Sequence, residues 1–192
     1  MAPLSIVLVE EQGRVNVYGV NDTDKPVTAG LRYGVFTLNG RYVLDRGQAV
    51  VLAPNASTWL ADFPASAWTA RRASLAFAVL TQGARLLARN RLFDQLFKDW
   101  AWPSARVRVK VKDGRATFTC DRFAWGVCLD LDGESPLDDN FFDIYPDQPH
   151  SIAWRSKTPP RVLHVGNELK ALLARPKYLN PEPSLPDTTL IF

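Results

Sequence analysis

The sequence predicts an all-β protein: two tandem immunoglobulin-like β-sandwiches followed by an extended C-terminal tail. Three observations carry this. Short runs of β-branched and aromatic residues recur at roughly 8–12-residue spacing. Clusters of Asn, Asp, Gly and Pro separate them, and Asn39-Gly40 and Asp113-Gly114 are the strongest short hairpin signals. With 192 residues, 46% of them hydrophobic and 22% charged, the chain can bury a core. It suits one domain or two small ones and is too short for a barrel of about 250 residues.

The first unit is predicted over 1–98. Residues 5–9 and 14–20 are β-branched runs joined by a polar Glu-Glu-Gln-Gly turn. Asn21 to Pro26 is a dense turn, in which Asx side chains can bond their own backbone and Pro26 blocks helix. Residues 31–38 alternate and stop at Asn39-Gly40, with 41–51 as the return strand, bending at Arg46-Gly47. Pro54 and Asn55 precede a strand over 57–61. Residues 73–80 form an apolar strand, turned by Gln82-Gly83 into 85–89. Apolar residues near helical spacing from Leu86 to Trp100 suggest an amphipathic helix, but the Trp-Ala-Trp-Pro that follows favours a strand end and a packed linker.

The second unit is predicted over 99–175. Residues 106–112 and 115–120 make a hairpin around Asp113-Gly114, and the β pattern continues over 126–131. An acidic loop runs from Asp132 to Pro149, 151–154 and 161–165 read as closing strands, and 168–174 as a short helix. Residues 176–192, with four prolines and little periodicity, read as the tail.

The formal charge of +3 hints at polyanions, but it is dispersed. Residues 1–98 hold 11 basic and 7 acidic side chains, net +4; residues 99–192 hold 12 and 13, net −1. The densest basic run, Arg106 to Lys112, alternates strictly with valine, as a strand with a solvated charged face does, so no nucleic-acid partner is expected. No apolar run approaches the ~20 residues of a membrane span, and none is expected to meet a membrane. The N-terminus has no basic n-region or cleavage site and does not read as a signal peptide, leaving a cytoplasmic location open. Cys120 and Cys128 lie in apolar strand-like surroundings and read as buried free thiols, with a single bridge as the alternative. His150 and His164 have no CxxC or HxxxH context, so neither metal nor cofactor is expected.

No catalytic motif is present: neither a GxSxG elbow nor a Gly-rich phosphate loop. The acidic stretch from Asp130 to Asp147 lacks the spacing of a calcium loop, and a surface loop supplies no cleft for paired glycosidase carboxylates. Its expected role is structural, with Asp139 and Asn140 bonding backbone amides while Phe141, Phe142 and Ile144 enter the core. Of the six tryptophans, Trp59 and Trp154 sit in strand patterns and read as core. Trp68, Trp100 and Trp102 are the candidate carbohydrate-stacking residues, with Trp68 expected at the surface. Trp100 and Trp102, in the presumed linker, equally suit gluing the two units together.

Three stretches resemble a known family in consistent order. They are Asn21-Asp22-Thr23-Asp24-Lys25-Pro26-Val27, Ala88 to Phe93 continuing through Trp100, and Asp139-Asn140-Phe141-Phe142-Asp143 with Gly126 to Leu129 upstream. Together they resemble the C-terminal non-catalytic region of β-mannosidase-like family 2 glycoside hydrolases. Where that family has Leu-Leu-Pro-Gly after its D-N-x-F-D motif, this chain has Ile144-Tyr145-Pro146-Asp147, and Asp tolerates the left-handed turn. The resemblance implies that the chain hydrolyses nothing itself. It would buttress the catalytic barrel of the same polypeptide, where terminal β-mannosides are cleaved through a glycosyl-enzyme intermediate. A stand-alone carbohydrate-binding module is the alternative, and a plain protein-interaction sandwich a third class.

Overall fold

The structure, a computed structural model, describes residues 3–69, 73–93 and 99–168. Seven strands precede residue 94: β1 (Leu4–Glu11), β2 (Arg14–Asn21), β3 (Val27–Thr37), β4 (Tyr42–Leu52), β5 (Ala56–Pro64), β6 (Ser74–Gln82) and β7 (Arg85–Phe93). They form a three-stranded sheet, β1-β2-β5, and a four-stranded sheet, β4-β3-β6-β7. Both sheets bury alternate residues in one core, among them Ile6, Val15, Val17, Leu31, Leu52 and Phe63, as expected where one face of each strand meets the opposing sheet. Both edges of the three-stranded sheet are held by side chains of the other. The Asn90 amide donates to the Ile6 carbonyl at 2.9 Å, and the Gln48 amide to the Leu60 carbonyl at 2.8 Å.

The turns follow their chemistry. Gln12 and Gly13 both have positive φ (53° and 74°), as do Asp113 and Gly114 (49° and 72°), the pairing of a two-residue hairpin. Asn21, fully buried, donates to the Lys25 carbonyl and accepts from the Thr23 amide at 3.0 Å, so the Asn21–Pro26 turn is built by its own side chain. A four-residue helix, α1 (Ser66–Thr69), interrupts the strands where the sequence shows no helical signal.

The remaining strands are β8 (Arg108–Lys112), β9 (Arg115–Thr119), β10 (Ala124–Val127), β11 (Phe142–Ile144) and β12 (His150–Ala153). They form the sheets β12-β9-β8 and β10-β11 around a second core that includes Phe118, Val127, Phe142, Ile144 and Ile152. The edge strand β8 exposes Arg108, Lys110 and Lys112 while its valines turn inward, as the alternation predicts. Residues 161–165 do not form the expected closing strand. Only His164 bridges, to Cys128, whose carbonyl takes the Leu163 amide at 2.9 Å and whose amide donates to the His164 carbonyl at 2.9 Å. Asp147 takes the left-handed conformation (φ 50°) in the turn after Pro146. The boundary at 98–99 adjoins 94–98; these, most of the expected helix over 168–174 and the whole tail lie outside the described residues.

A third core joins the two sandwiches. Phe36, Leu75, Phe77 and Val79, on the outer face of the four-stranded sheet, pack with Trp100, Phe123 and Tyr145. Strand β6 is thus covered on both sides: Ala76, Ala78 and Leu80 face the first core, and Leu75, Phe77 and Val79 the third. This accounts for its unbroken apolar run, the pattern of a strand buried on both faces.

Gly40, in the β3–β4 hairpin, marks how closely the two units meet. Its φ is +91°, and an added Cβ would stand 2.1 Å from the Asp121 carbonyl oxygen. Nearby, the Phe123 amide donates to the Leu38 carbonyl at 3.1 Å. Gly40→Ala is expected to lower stability by more than about 2 kcal/mol, read as a fall in the urea midpoint. Gly83, also left-handed but with nothing within 4 Å of an added Cβ, serves as control. Gly83→Ala should cost only the conformational penalty of about 1–2 kcal/mol. Equal losses would remove the close approach as the reason for glycine at position 40.

Candidate functional site

The junction between the sandwiches is where the sequence's unusual residues converge. Its apolar half is aromatic. Phe36 lies 5.1 Å from Phe77, 5.7 Å from Phe123 and 5.4 Å from Tyr145, centroid to centroid, with tilted rings that suit aromatic quadrupoles. Trp100, Trp102 and Trp125 form a stack with centroid spacings of 5.6 and 5.4 Å. The stack ends on Gly166, where a Cβ would stand 2.2 Å from the Trp125 ring.

Its polar half is a charged cluster between β7 and the second sandwich. Arg89 and Arg91, two residues apart, share one face of β7. The Arg91 guanidinium lies 2.7 Å from Asp143, whose other oxygen accepts from the Gly126 amide at 2.9 Å. Arg89 donates to Nδ1 of the buried His150 at 3.0 Å, and His150 Nε2 lies 3.1 Å from Asp139. A guanidinium cannot accept, so the neutral imidazole with its proton on Nε2 fits both neighbours. Burial pushes the Asp143 carboxyl up despite Arg91, and burial lowers Arg89. Burial also pushes Asp139 up, but the hydrogen bond from His150, helped by the Asn140 amide and the charge of Arg89, outweighs it and holds the carboxyl below its ordinary value. Burial pushes the Tyr145 phenol far up and makes it a neutral group.

Beside this cluster a cleft of about 740 Å³ opens between the β6–β7 turn and the second sandwich, lined by Arg85, Leu86, Arg115, Pro149, His150 and Ser151. Its charged walls are cationic. Among the residues lining it there is no carboxylate, so the paired acids of glycoside hydrolysis are not found in this cleft. Among the described residues, no group of three His, Cys, Asp or Glu is placed to hold a metal. Cys120 and Cys128 are free and buried, and burial raises both thiols.

The three tryptophans named as carbohydrate contacts do not share a surface. Trp68, expected at the surface, is 2% exposed. Helix α1 turns its indole into the first core, where the ring nitrogen donates to the Ser74 carbonyl at 3.2 Å. Trp100 is buried, and Trp102 is half-buried with Trp100 on one side and Trp125 on the other, in the gluing position. Trp154 is half-buried against the second core. Trp59, read as core, is 55% exposed. The β2–β5 ladder shifts register between Val17 and Tyr18, so Leu60 and Ala61 both point inward and Trp59 is turned out. Such a bulge has no sequence mark here, and it reverses the inside–outside parity of every residue beyond it.

The acidic segment bonds backbone amides, as expected for Asn140, while Asp139 faces the His150 ring. Asn140 accepts from the Leu129 and Phe141 amides, Asp138 from the Ala153 amide, and Asp130 from the amides of Asp132, Gly133 and Ser135. Phe142 and Ile144 are buried, but Phe141 is 58% exposed at φ 58°. Left-handed backbone at that residue turns its side chain away from the core that Phe142 enters. Arg89 and Arg91, the partners of this segment, were not singled out by the sequence. Their signal in β7 is a pair of cations two apart, on either side of Asn90, on a strand that also carries Arg85.

Residues 13–99 match the family model described as the Mannosidase Ig/CBM-like domain. That match covers the first sandwich from the β1–β2 turn onward. Among solved structures, the β-D-mannosidase of Dictyoglomus thermophilum is similar over 88% of this chain, with 21% identity and a TM-score of 0.71. The exo-chitosanase of Amycolatopsis orientalis covers 77% of this chain at 14% identity and a TM-score of 0.46. The chain spans 21% of the mannosidase and 23% of the chitosanase. No curated protein matches it. Over residues 13–99 the resemblance read in the sequence is met by a mannosidase-type, immunoglobulin-like family model, and the fold is shared with the β-D-mannosidase.

Asp139 gives the junction a pH signature. Because its folded value is depressed, its carboxylate contributes stability above the ordinary carboxylate range, and this is lost as pH falls through the folded value. Asp139→Asn is expected to cost about 1 kcal/mol or less at pH 6, since solvent screens a half-exposed pair. The difference from wild type should close in acid below the depressed folded value, where both carry a neutral side chain. Urea midpoints at the two pH values check this; a gap that persists in acid would assign the loss to packing.

Proposed function

We propose that this chain is the non-catalytic C-terminal portion of a β-mannosidase-like glycoside hydrolase. In this reading it is a rigid scaffold for the catalytic barrel of the same polypeptide. The barrel supplies the chemistry on terminal β-mannosides, and the two sandwiches hold its flank. The observation that carries the reading is the junction. The two sandwiches share an aromatic core, and the D-N-x-F-D motif is spent on locking them: Asp139 and Asp143 on the β7 arginines and His150, Asn140 on the loop, Phe142 in the core. A motif used for joining two sandwiches serves a body of fixed shape, as a buttress requires. The family match to the first sandwich and the fold shared with a β-mannosidase support the same reading.

Two measurements test it. Purified protein is expected to release no nitrophenol from 4-nitrophenyl β-D-mannopyranoside above the buffer rate. Hydrolysis that survives further purification would overturn the non-catalytic assignment. The reading frame upstream of the Met1 codon is expected to continue into a barrel-coding sequence. A stop codon and ribosome-binding site there would overturn the assignment of the partner to the same polypeptide.

A further inference from the structure

The outer face of the β1-β2-β5 sheet is the side of the first sandwich turned away from the junction, and it carries an ordered aromatic row. The register places Val7, Tyr18 and Trp59 side by side across the three strands. On one flank lie Ser5, Val20 and Ser57, and on the other Val9, Asn16 and Asp62. All of these side chains point outward or are partly exposed, Trp59 the most among its aromatic neighbours.

We infer that this face is a carbohydrate-binding platform, with Trp59 as the stacking ring, Tyr18 beside it, and a neutral oligosaccharide as its ligand. The site is independent of the scaffold role; only the choice of a β-mannan as first probe rests on that reading. A pyranose presents an apolar C–H face with a rim of hydroxyls. It needs a flat ring to stack on and hydrogen-bonding groups at the edges. The aromatic row supplies the first; Ser5 and Ser57 on one side, with Asn16 and Asp62 on the other, supply the second. Strands about 4.8 Å apart make the row about 10 Å wide, room for two sugar rings.

The platform is held in place before any ligand arrives. The Trp59 indole N–H donates to Asn16 Oδ1 on the neighbouring strand at 3.3 Å, which draws the ring across the sheet. A ring ordered in advance loses less freedom on binding. Asp62 is fixed by two hydrogen bonds from Arg14, at 2.5 and 2.7 Å, and the pair cancels its own charge. That pairing speaks against a nucleic-acid strand, which would also stack on the indole but needs free cations for its phosphates. The exposed large apolar side chains of this face are Val7, Val9 and Trp59. They form a narrow strip, small against the ~800 Å² per partner of a stable protein interface.

Native electrophoresis of the full chain through gels containing soluble galactomannan or hydroxyethylcellulose tests this, with polygalacturonate as the anionic control. Wild type is expected to be retarded by at least one neutral polysaccharide relative to a plain gel. Trp59→Ala is expected to lose that retardation while its melting temperature stays within about 3 °C of wild type, because the ring is exposed. In parallel, mannohexaose or cellohexaose should protect wild-type tryptophan fluorescence from acrylamide, a readout that needs no variant. The inference is overturned if neither neutral polysaccharide retards wild type, if only polygalacturonate does, if Trp59→Ala is retarded as strongly as wild type, or if neither sugar changes the quenching. None of these outcomes bears on hydrolysis or on the upstream reading frame, so the platform and the scaffold fail separately.

Discussion

The packing of Phe36 and Phe77 against Phe123 and Tyr145 is the contact on which the rest of the molecule depends. Sheets of three and two strands enclose little apolar surface, and small domains bury a lower fraction of theirs than large ones. The second sandwich meets this constraint by lending Phe123 and Tyr145 to a core whose other wall is the first sandwich. The cost falls on β6, which must be apolar on both faces and sits inside its sheet, where every backbone group is paired. Its small alanines face the first core and its larger residues face the third.

An aromatic interface alone permits sliding; the charged cluster beside it supplies register. Arg91 reaches from one sandwich to the Asp143 carboxylate on the other and Arg89 to the His150 imidazole, and both contacts are made together in one relative position of the two units. Burying the Asp143 carboxylate beside two largely shielded cations is expensive, and such groups contribute little net stability unless each finds its partners. Here Asp143 has both Arg91 and the Gly126 amide, and His150 stands between Arg89 and Asp139. Its ring also packs on Phe142, 4.1 Å between centroids, so the polar cluster and the second core share a wall. The junction therefore sets an orientation as well as an attachment.

The sequence makes the elements legible and leaves their relation hidden. Hairpin dipeptides, Asx turns and strand alternation act within a few residues, and each appears as read: the Asn21 turn, the Asp113-Gly114 hairpin, the valine-in, lysine-out edge of β8. What depended on distant pairing was missed. Trp59 follows the core parity of its strand until a bulge opposite Val17 and Tyr18 reverses it. Trp68 has polar neighbours in sequence, yet one helical turn carries it beneath the first core. The arginines of β7 look like ordinary surface charges, because their partners lie more than 50 residues away. The unbroken apolar run of β6 announces burial on both faces, but a second sheet and a second domain would cover it equally well.

The same constraint leaves the face that carries Trp59 outside the junction. The first sandwich has two outer faces, and the four-stranded sheet commits the end of its own that carries Phe36, Phe77 and Val79 to the junction, while Val51 stays exposed at the other end. Its edges are no more available: Asn90 and Gln48 tie the flanks of the three-stranded sheet to the opposite layer. The outer surface of β1, β2 and β5 lies away from the junction, and there the register gathers Tyr18 and Trp59 into one row instead of scattering them. A domain serving only to fill space between a barrel and a second sandwich could place serine or lysine at those positions at lower risk, since exposed indoles invite unwanted association. Here the ring is exposed, pinned by Asn16 and flanked by a self-neutralised ion pair, an arrangement that costs solubility and contributes nothing to either core. Such a ring is what the carbohydrate platform proposed above would stack on.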